Sequence, residues 1–217
     1  MPVRVSESII LRTYPLREAD LIVSFFTRDE GKLRGVARRA RRPANRFGSG
    51  MERLSYVNMH YYLRENRDLM TLDSCEIVRS QFPLAASFET SVAGDFIAEV
   101  ADHILPAHEP NERFFRLILT TTEHMIRTGS AGAVAAATYF ALWSVRLSGF
   151  LPALELEEED HAIASEMLTT PVGKLTPREW SPNTARGLRR QLISLVEDHI
   201  ERRLLSVRAL EGLASAP

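Results

Sequence analysis

The densest chemistry in the chain is a run of cations. Arg38-Arg39-Ala40-Arg41-Arg42-Pro43-Ala44-Asn45-Arg46 puts five arginines within nine residues, and Gly48-Ser49-Gly50 follows. Arg34 and Lys32 stand just upstream and raise the count to seven cations. Guanidinium groups hold phosphate through paired hydrogen bonds and stack on planar rings. At this density, beside Gly and Pro, they favour a flexible loop that binds an anion over one that is merely solvated. Tyr56, His60 and Tyr62 come next in the chain. A charged loop beside aromatic rings is what sequence-neutral single-strand binders use, and stacking is worth roughly 1–3 kcal/mol per base. Inward packing accounts for each tyrosine equally well.

Other constellations are thin. Glu99 and His103 stand four apart, with Asp95 on the same helical stripe. That spacing suits two metal ligands, and a small metal-dependent hydrolase is one reading of it. No third nitrogen ligand follows at a usable distance, so a solvated stripe is preferred. Cys75 is the single cysteine, which excludes a disulfide framework and a cysteine-based zinc site. Its place in a strand points to packing rather than nucleophilic chemistry. The chain has no glycine-rich phosphate loop, no Gly-x-Ser-x-Gly elbow and no His-Glu-x-x-His. No catalytic residue, metal or cofactor is therefore expected.

The elements that would carry the cations are short strands. Residues 3–14, 21–27, 32–38, 55–64 and 69–79 read as five strands, from β-branched content and alternation. Arg28-Asp29-Glu30-Gly31 is the turn of a hairpin, with Gly31 suited to positive φ. In the third strand Lys32, Arg34, Val36 and Arg38 share one face; Leu33, Gly35 and Ala37 share the other. In the fourth, Val57, Met59, Tyr61 and Leu63 oppose Tyr56, Asn58, His60, Tyr62 and Arg64. Residues 65–68 form a turn. The fifth slips register between Leu72 and Cys75, which predicts a bulge. Five strands in about eighty residues without alternating helices favour a closed Greek-key barrel of the OB type.

From residue 85 the period becomes helical. One helix carries Phe96, Ile97, Val100, Ala101 and Ile104 over so wide an arc that it must be buried on two sides. Pro106 ends it. Asn111 caps a second helix that runs to Gly129. Residues 131–147 are apolar nearly all round and read as the centre of a bundle. Residues 155–160 read as an acidic connector, 152–182 as loop-rich, and 183–205 as a last helix. The expected fold is thus α+β: an N-terminal five-stranded barrel at 1–80, then a helical domain at 81–217.

Charge follows the same division. The 217 residues carry a formal net charge of −1, which on its face argues against a nucleic-acid binder. Residues 1–80, however, hold 15 Lys and Arg against 10 Asp and Glu, whereas residues 81–217 hold 12 against 18. A basic half joined to an acidic half suits one anionic partner. No apolar run reaches the roughly 18 residues of a spanning helix. The N-terminus lacks a signal pattern. A soluble cytoplasmic protein is expected.

The order of motifs resembles the bacterial RecO recombination-mediator family. The residues that carry it are Ile9-Ile10-Leu11-Arg12-Thr13, Arg17-Glu18-Ala19-Asp20-Leu21-Ile22-Val23 and Gly31-Lys32-Leu33-Arg34-Gly35-Val36-Ala37 with the arginine run after it. Leu69-Met70-Thr71-Leu72, Leu147-Ser148-Gly149-Phe150-Leu151-Pro152 and Arg203-Leu204-Leu205-Ser206-Val207-Arg208-Ala209-Leu210 continue it. The resemblance implies an OB-fold followed by a helical domain. It implies binding of single- and double-stranded DNA, annealing of complementary strands and association with RecR. It further implies engagement of the acidic C-terminal tail of single-strand-binding protein, and help in loading RecA. On this chain the implied DNA contacts are Lys32, Arg34, Arg38, Arg39, Arg41, Arg42 and Arg46, with Tyr56 and Tyr62 as candidates for base stacking. An OB-fold RNA-binding protein is the alternative of the same physical type. Some relatives bind zinc through paired cysteines after the Gly-aromatic-x-Pro segment; residues 155–167 here contain none, so that site is not implied.

Overall fold

A computed structural model of the chain describes residues 3–62 and 69–213. Leu63 and Arg64, expected at the end of the fourth strand, and the turn expected at 65–68 lie outside the described residues. The chain divides into two compact units, one of Met1–Phe82 with Leu105–Phe115, the other of Pro83–Ile104 with Arg116–Pro217. No described helix is long and apolar enough to cross a membrane.

The first unit is a closed barrel. Its strands are β1 (Val3–Leu16), β2 (Asp20–Thr27), β3 (Gly31–Ala37), β4 (Tyr56–Tyr62) and β5 (Met70–Arg79). They close in the order β1-β2-β3-β5-β4, with β4 returning to pair antiparallel with β1. Among the five strands, as described, β3 and β5 are the pair that runs parallel. Closure leaves no long edge to template aggregation. The alternation read from β3 and β4 is the observed one. Leu33, Val57, Met59 and Tyr61 are buried, whereas Arg34 is exposed and Tyr56, Asn58, His60 and Tyr62 are half-buried. The slip expected in β5 is also present, because His60 pairs Ser74 while Tyr61 pairs Leu72, leaving Asp73 unmatched. The core joins Ile10, Val23, Phe25, Leu33, Val57, Met59, Tyr61 and Leu72. Phe25 meets the Tyr61 ring edge-on at 5.9 Å, and the Tyr61 hydroxyl finds Ser6 Oγ at 3.1 Å.

The hairpin turn is tightly specified. Thr27 Oγ1 accepts the Glu30 N–H at 2.9 Å and donates to the Gly31 carbonyl at 2.9 Å. Gly31 has φ +77, and a Cβ there would stand 2.4 Å from backbone atoms of Glu109. Only glycine satisfies both conditions. The Leu105–Phe115 segment lies along this part of the barrel. Ala107 bridges Lys32, and Phe114 and Phe115 pack on the Phe26 ring.

The second unit is helical. Its helices are α1 (Phe88–Ile104), α2 (Glu112–Thr128), α3 (Ser130–Leu147), α4 (Glu158–Thr169), α5 (Arg186–His199) and α6 (Val207–Gly212); the first turn of α2 belongs to the barrel unit. Asn111 caps α2 as expected, its Oδ1 accepting the Phe114 N–H at 3.0 Å. Every residue from Gly132 to Leu142 of α3 is buried, and α3 packs against α1, α4 and α5.

Two readings of this region need correction. The stretch taken as an acidic connector and loop-rich segment contains α4. Glu158, Glu159 and Asp160 form its first turn, where negative charge complements the helix dipole, while Ile163, Ala164 and Met167 are buried. The last helix is also shorter than 183–205. Ala185, with φ +54, precedes its start, and its end is set by Glu197. That carboxylate folds back to accept the Leu204 N–H at 2.9 Å and to pair with Arg203. Glu201 turns left-handed at φ +52 between them.

Candidate nucleic-acid interface

The arginine run leaves β3 and enters the connection to β4. Hydrogen bonds and buried side chains tie this connection to the barrel. The Arg39 N–H donates to Asp20 Oδ1 at 2.8 Å, and the Arg41 N–H donates to the Ala19 carbonyl at 3.0 Å. Both acceptors belong to the junction of the β1–β2 turn with β2, so the two connections are tied together. Asn45 organises the next turn. Its amide donates to the Arg42 carbonyl at 2.9 Å, and its Oδ1 accepts the N–H groups of Phe47 and Gly48 at 2.8 and 2.9 Å. Phe47 and Met51 then enter the barrel core. A buried side chain of this size is worth roughly 1.5–3 kcal/mol. Two apolar residues four apart thus hold a polar loop against the barrel. Cys75 contributes as packing: its thiol donates to the Phe47 carbonyl at 3.3 Å, and burial pushes its pKa up to about 11.

The charges sort into paired and unpaired sets. Arg4 pairs with Glu30, Arg28 with Glu7 and Glu112, and Arg46 with Asp73 at 2.9 Å. Arg34, Arg38, Arg39, Arg41 and Arg42 are exposed and have no carboxylate partner among the described residues. The Arg41 guanidinium reaches only the Glu18 carbonyl, at 3.4 Å. Arg46 is therefore the weakest of the expected contacts on the loop. Lys32 is half-buried, and its carbonyl accepts the His108 N–H at 3.1 Å. Exposed guanidinium groups with no carboxylate partner among the described residues leave a positive local field, which attracts anions.

Two further cations escape a reading of the run alone. Arg12 pairs with Ser24, and Ser24 pairs with Arg34, so strand register sets Arg12 and Arg34 in one row on either side of the buried Ser24. Arg17 is exposed on the β1–β2 turn with φ +57. Neither has a carboxylate partner among the described residues. The signal for Arg12 was its alternation with Tyr14 along β1; its partner across the sheet was not visible in sequence.

The two tyrosines fare differently. Tyr56 meets Phe115 edge-on at 6.0 Å, with Arg79 6.0 Å from its ring centroid. Burial, and then Glu7, raise its hydroxyl pKa. It is occupied in packing, so its expected role in base stacking is not supported by this geometry. Tyr62 lies on the outer face of β4, paired with Thr71 of β5. His60 approaches Glu76 at 3.7 Å.

The hydrolase reading loses one of its two carboxylates, because Glu99 is engaged by backbone and hydroxyl donors. Glu99 accepts the N–H groups of Leu205 and Ser206 at 2.9 and 2.8 Å and the Ser206 hydroxyl at 2.5 Å. It holds the start of α6. Among the described residues no three His, Cys, Asp or Glu side chains converge as metal ligands. The segment where some relatives place zinc cysteines is held by other means. Glu166 accepts the Thr176 N–H at 2.5 Å and pairs with Arg178, and Trp143 Nε1 donates to the Met167 carbonyl at 3.0 Å.

Comparison with known proteins agrees with this anatomy. A family model described as recombination protein O N terminal matches residues 1–81, and one described as recombination protein O C terminal matches residues 85–158. The second ends where α4 begins. The DNA repair protein RecO of Koribacter versatilis is 37% identical over 243 residues, covering 96% of this chain and 98% of that one. The protein of the same name from Bifidobacterium longum is 27% identical over 235 residues, covering 95% and 98%. That from Bifidobacterium adolescentis is 30% identical over 158 residues, covering 72% and 63%.

Proposed function

The chain belongs to the RecO family of DNA repair proteins, and on that premise we propose that it binds single- and double-stranded DNA and anneals complementary strands. In this reading residues 1–80 form the DNA-binding barrel and residues 81–217 the helical domain. The observation that carries it is the set of exposed arginines, Arg34, Arg38, Arg39, Arg41 and Arg42, which have no carboxylate partner among the described residues and sit on a loop hydrogen-bonded to the β1–β2 turn and on the adjoining strand. Each one that meets a phosphate releases condensed counterions, and that release drives binding without regard to sequence. Annealing follows when two strands share one cationic surface, because their mutual repulsion falls. Nothing covalent is required. The acidic balance of residues 81–217 concentrates DNA on the barrel rather than on the helices.

Membership in the family extends the reading to partners. The protein works in the cytoplasm with RecR, engages the acidic tail of single-strand-binding protein, and helps place RecA on coated single strands. The test is an annealing assay with complementary fluorescent strands, bare and coated with single-strand-binding protein, with and without RecR. The expected result is faster annealing by the protein, retained on coated strands. No acceleration under any of these conditions overturns the reading.

A further inference from the structure

One carboxylate meets the arginine run without forming an ion pair with it. Asp20 opens β2, beside the turn that holds Arg17, and pairs with Leu16 across that turn. Its Oδ1 accepts the Arg39 N–H at 2.8 Å, and it forms no ion pair among the described residues. Judged by charge alone, Asp20 works against an anion site, because a fixed negative charge repels phosphate. Its hydrogen bond points to a different role.

That role lies in the main chain of Arg39. Arg39 has φ +57, in the left-handed region that a residue with a side chain occupies only when its surroundings hold it there. A hydrogen bond from a backbone N–H to a carboxylate is among the stronger ones available for that purpose. The bend then continues, with the Arg42 N–H donating to the Arg39 carbonyl at 3.0 Å. Two more tethers run to the same turn. The Arg41 N–H donates to the Ala19 carbonyl at 3.0 Å, and the Arg41 guanidinium donates to the Glu18 carbonyl at 3.4 Å. Glu18 and Ala19 offer backbone carbonyls, which any residue supplies. Asp20 offers a side chain, so the dependence of this clasp on residue type lies at position 20.

We propose that Asp20 is a positioning residue for the nucleic-acid interface: its carboxylate holds Arg39 in the left-handed bend and so sets the direction in which Arg38, Arg39, Arg41 and Arg42 leave the barrel. The inference rests on the DNA-binding function proposed above. It adds a residue that acts on DNA only through the main chain of another. It also reverses the sign expected from charge. Removing this negative charge weakens DNA binding when the acceptor goes with it, and does not when the acceptor stays.

The test compares Asp20→Ala, Asp20→Glu and Asp20→Asn in the full chain. Alanine removes charge and acceptor together. Glutamate keeps the charge but moves the acceptor by one methylene, and asparagine keeps the acceptor without the charge. Binding of a labelled single strand is measured by anisotropy, hydrogen exchange over residues 38–47 by mass spectrometry, and folding by thermal melts. Alanine should weaken binding about tenfold. Glutamate should shift affinity in the same direction, and both variants should exchange faster over residues 38–47. Asparagine should keep the exchange protection and bind at least as tightly as wild type. An alanine variant that binds as tightly as wild type, or tighter, overturns the proposal, since Asp20 would then act through its charge or not at all. So does an equal loss for alanine and asparagine, or a loss for alanine with exchange over residues 38–47 unchanged. Should alanine unfold the barrel, glutamate against asparagine decides in the same way. If the wild-type protein binds no DNA, the function proposed above fails, while the exchange measurement still decides the clasp.

Discussion

Replacing Asn45 with alanine removes no charge yet dismantles the turn that presents the arginines. Three hydrogen bonds are lost, to the Arg42 carbonyl and from the Phe47 and Gly48 N–H groups. Each is worth about 0.5–1.5 kcal/mol net. Water replaces part of this at a half-exposed turn, which leaves a loss of about 1–2 kcal/mol in loop order. A site that is ordered only part of the time binds with its affinity reduced by that fraction. The ceiling on the loss is then about 5- to 30-fold. The cations themselves are all retained, so the dependence on salt should keep its wild-type slope. Fluorescence anisotropy with a labelled single strand, at salt from about 50 to 200 mM, measures both quantities. The expected outcome for Asn45→Ala is a parallel line displaced to weaker binding. Affinity within twofold of wild type at every salt would refute the reasoning, since loop order would then be irrelevant and only the number of charges would count.

Three predictions concern the scaffold. Burial pushes the Glu99 carboxyl up, but hydrogen bonds from Ser206 and Leu205 outweigh it and the net shift is downward; its stabilising effect is therefore full above the unfolded-state value and lost as pH falls through the lower folded value. Thermal melts should show Glu99→Gln less stable than wild type at pH 7 by about 2 kcal/mol, with the gap closing in acid; a gap independent of pH contradicts the assignment. The Cys75 thiol, with a pKa near 11, should alkylate far more slowly in native protein at pH 8 than in denaturant; equal rates would show that it is not packed. Gly31→Ala, where a Cβ meets Glu109 backbone at 2.4 Å, should lower barrel stability by at least about 2 kcal/mol more than Gly48→Ala, where nothing lies within 4 Å. Comparable melting temperatures for the two variants would contradict the packing seen at the hairpin turn.

Much of the barrel was legible because its strands are amphipathic. Alternation in β3 and β4 set which residues face the core, and the slip at Leu72 marked the bulge. Asn111 and the all-round apolar α3 were equally plain. What could not be read was anything that depends on pairing across strands. The order β1-β2-β3-β5-β4 and the row joining Arg12 to Arg34 exist only once register is known. The anchors of the loop were hidden because its cations dominate its composition, whereas buried Phe47 and Met51 and the Asn45 hydrogen bonds help to hold it. Helix α4 was hidden by its own acidic first turn, which reads as solvated sequence but stabilises a helix start. Tyr56 looked available for stacking until Phe115, almost sixty residues on, was seen beside it.

The most direct measurement is the salt dependence of single-strand binding for the wild-type chain and for the variant with Arg38, Arg39, Arg41 and Arg42 all replaced by alanine. Each phosphate neutralised on a single strand contributes about −0.7 to the slope of log affinity against log salt. Loss of four contacts should make the slope shallower by about 3 and weaken binding most at low salt. A variant with the wild-type slope and affinity would place the DNA elsewhere and contradict the account.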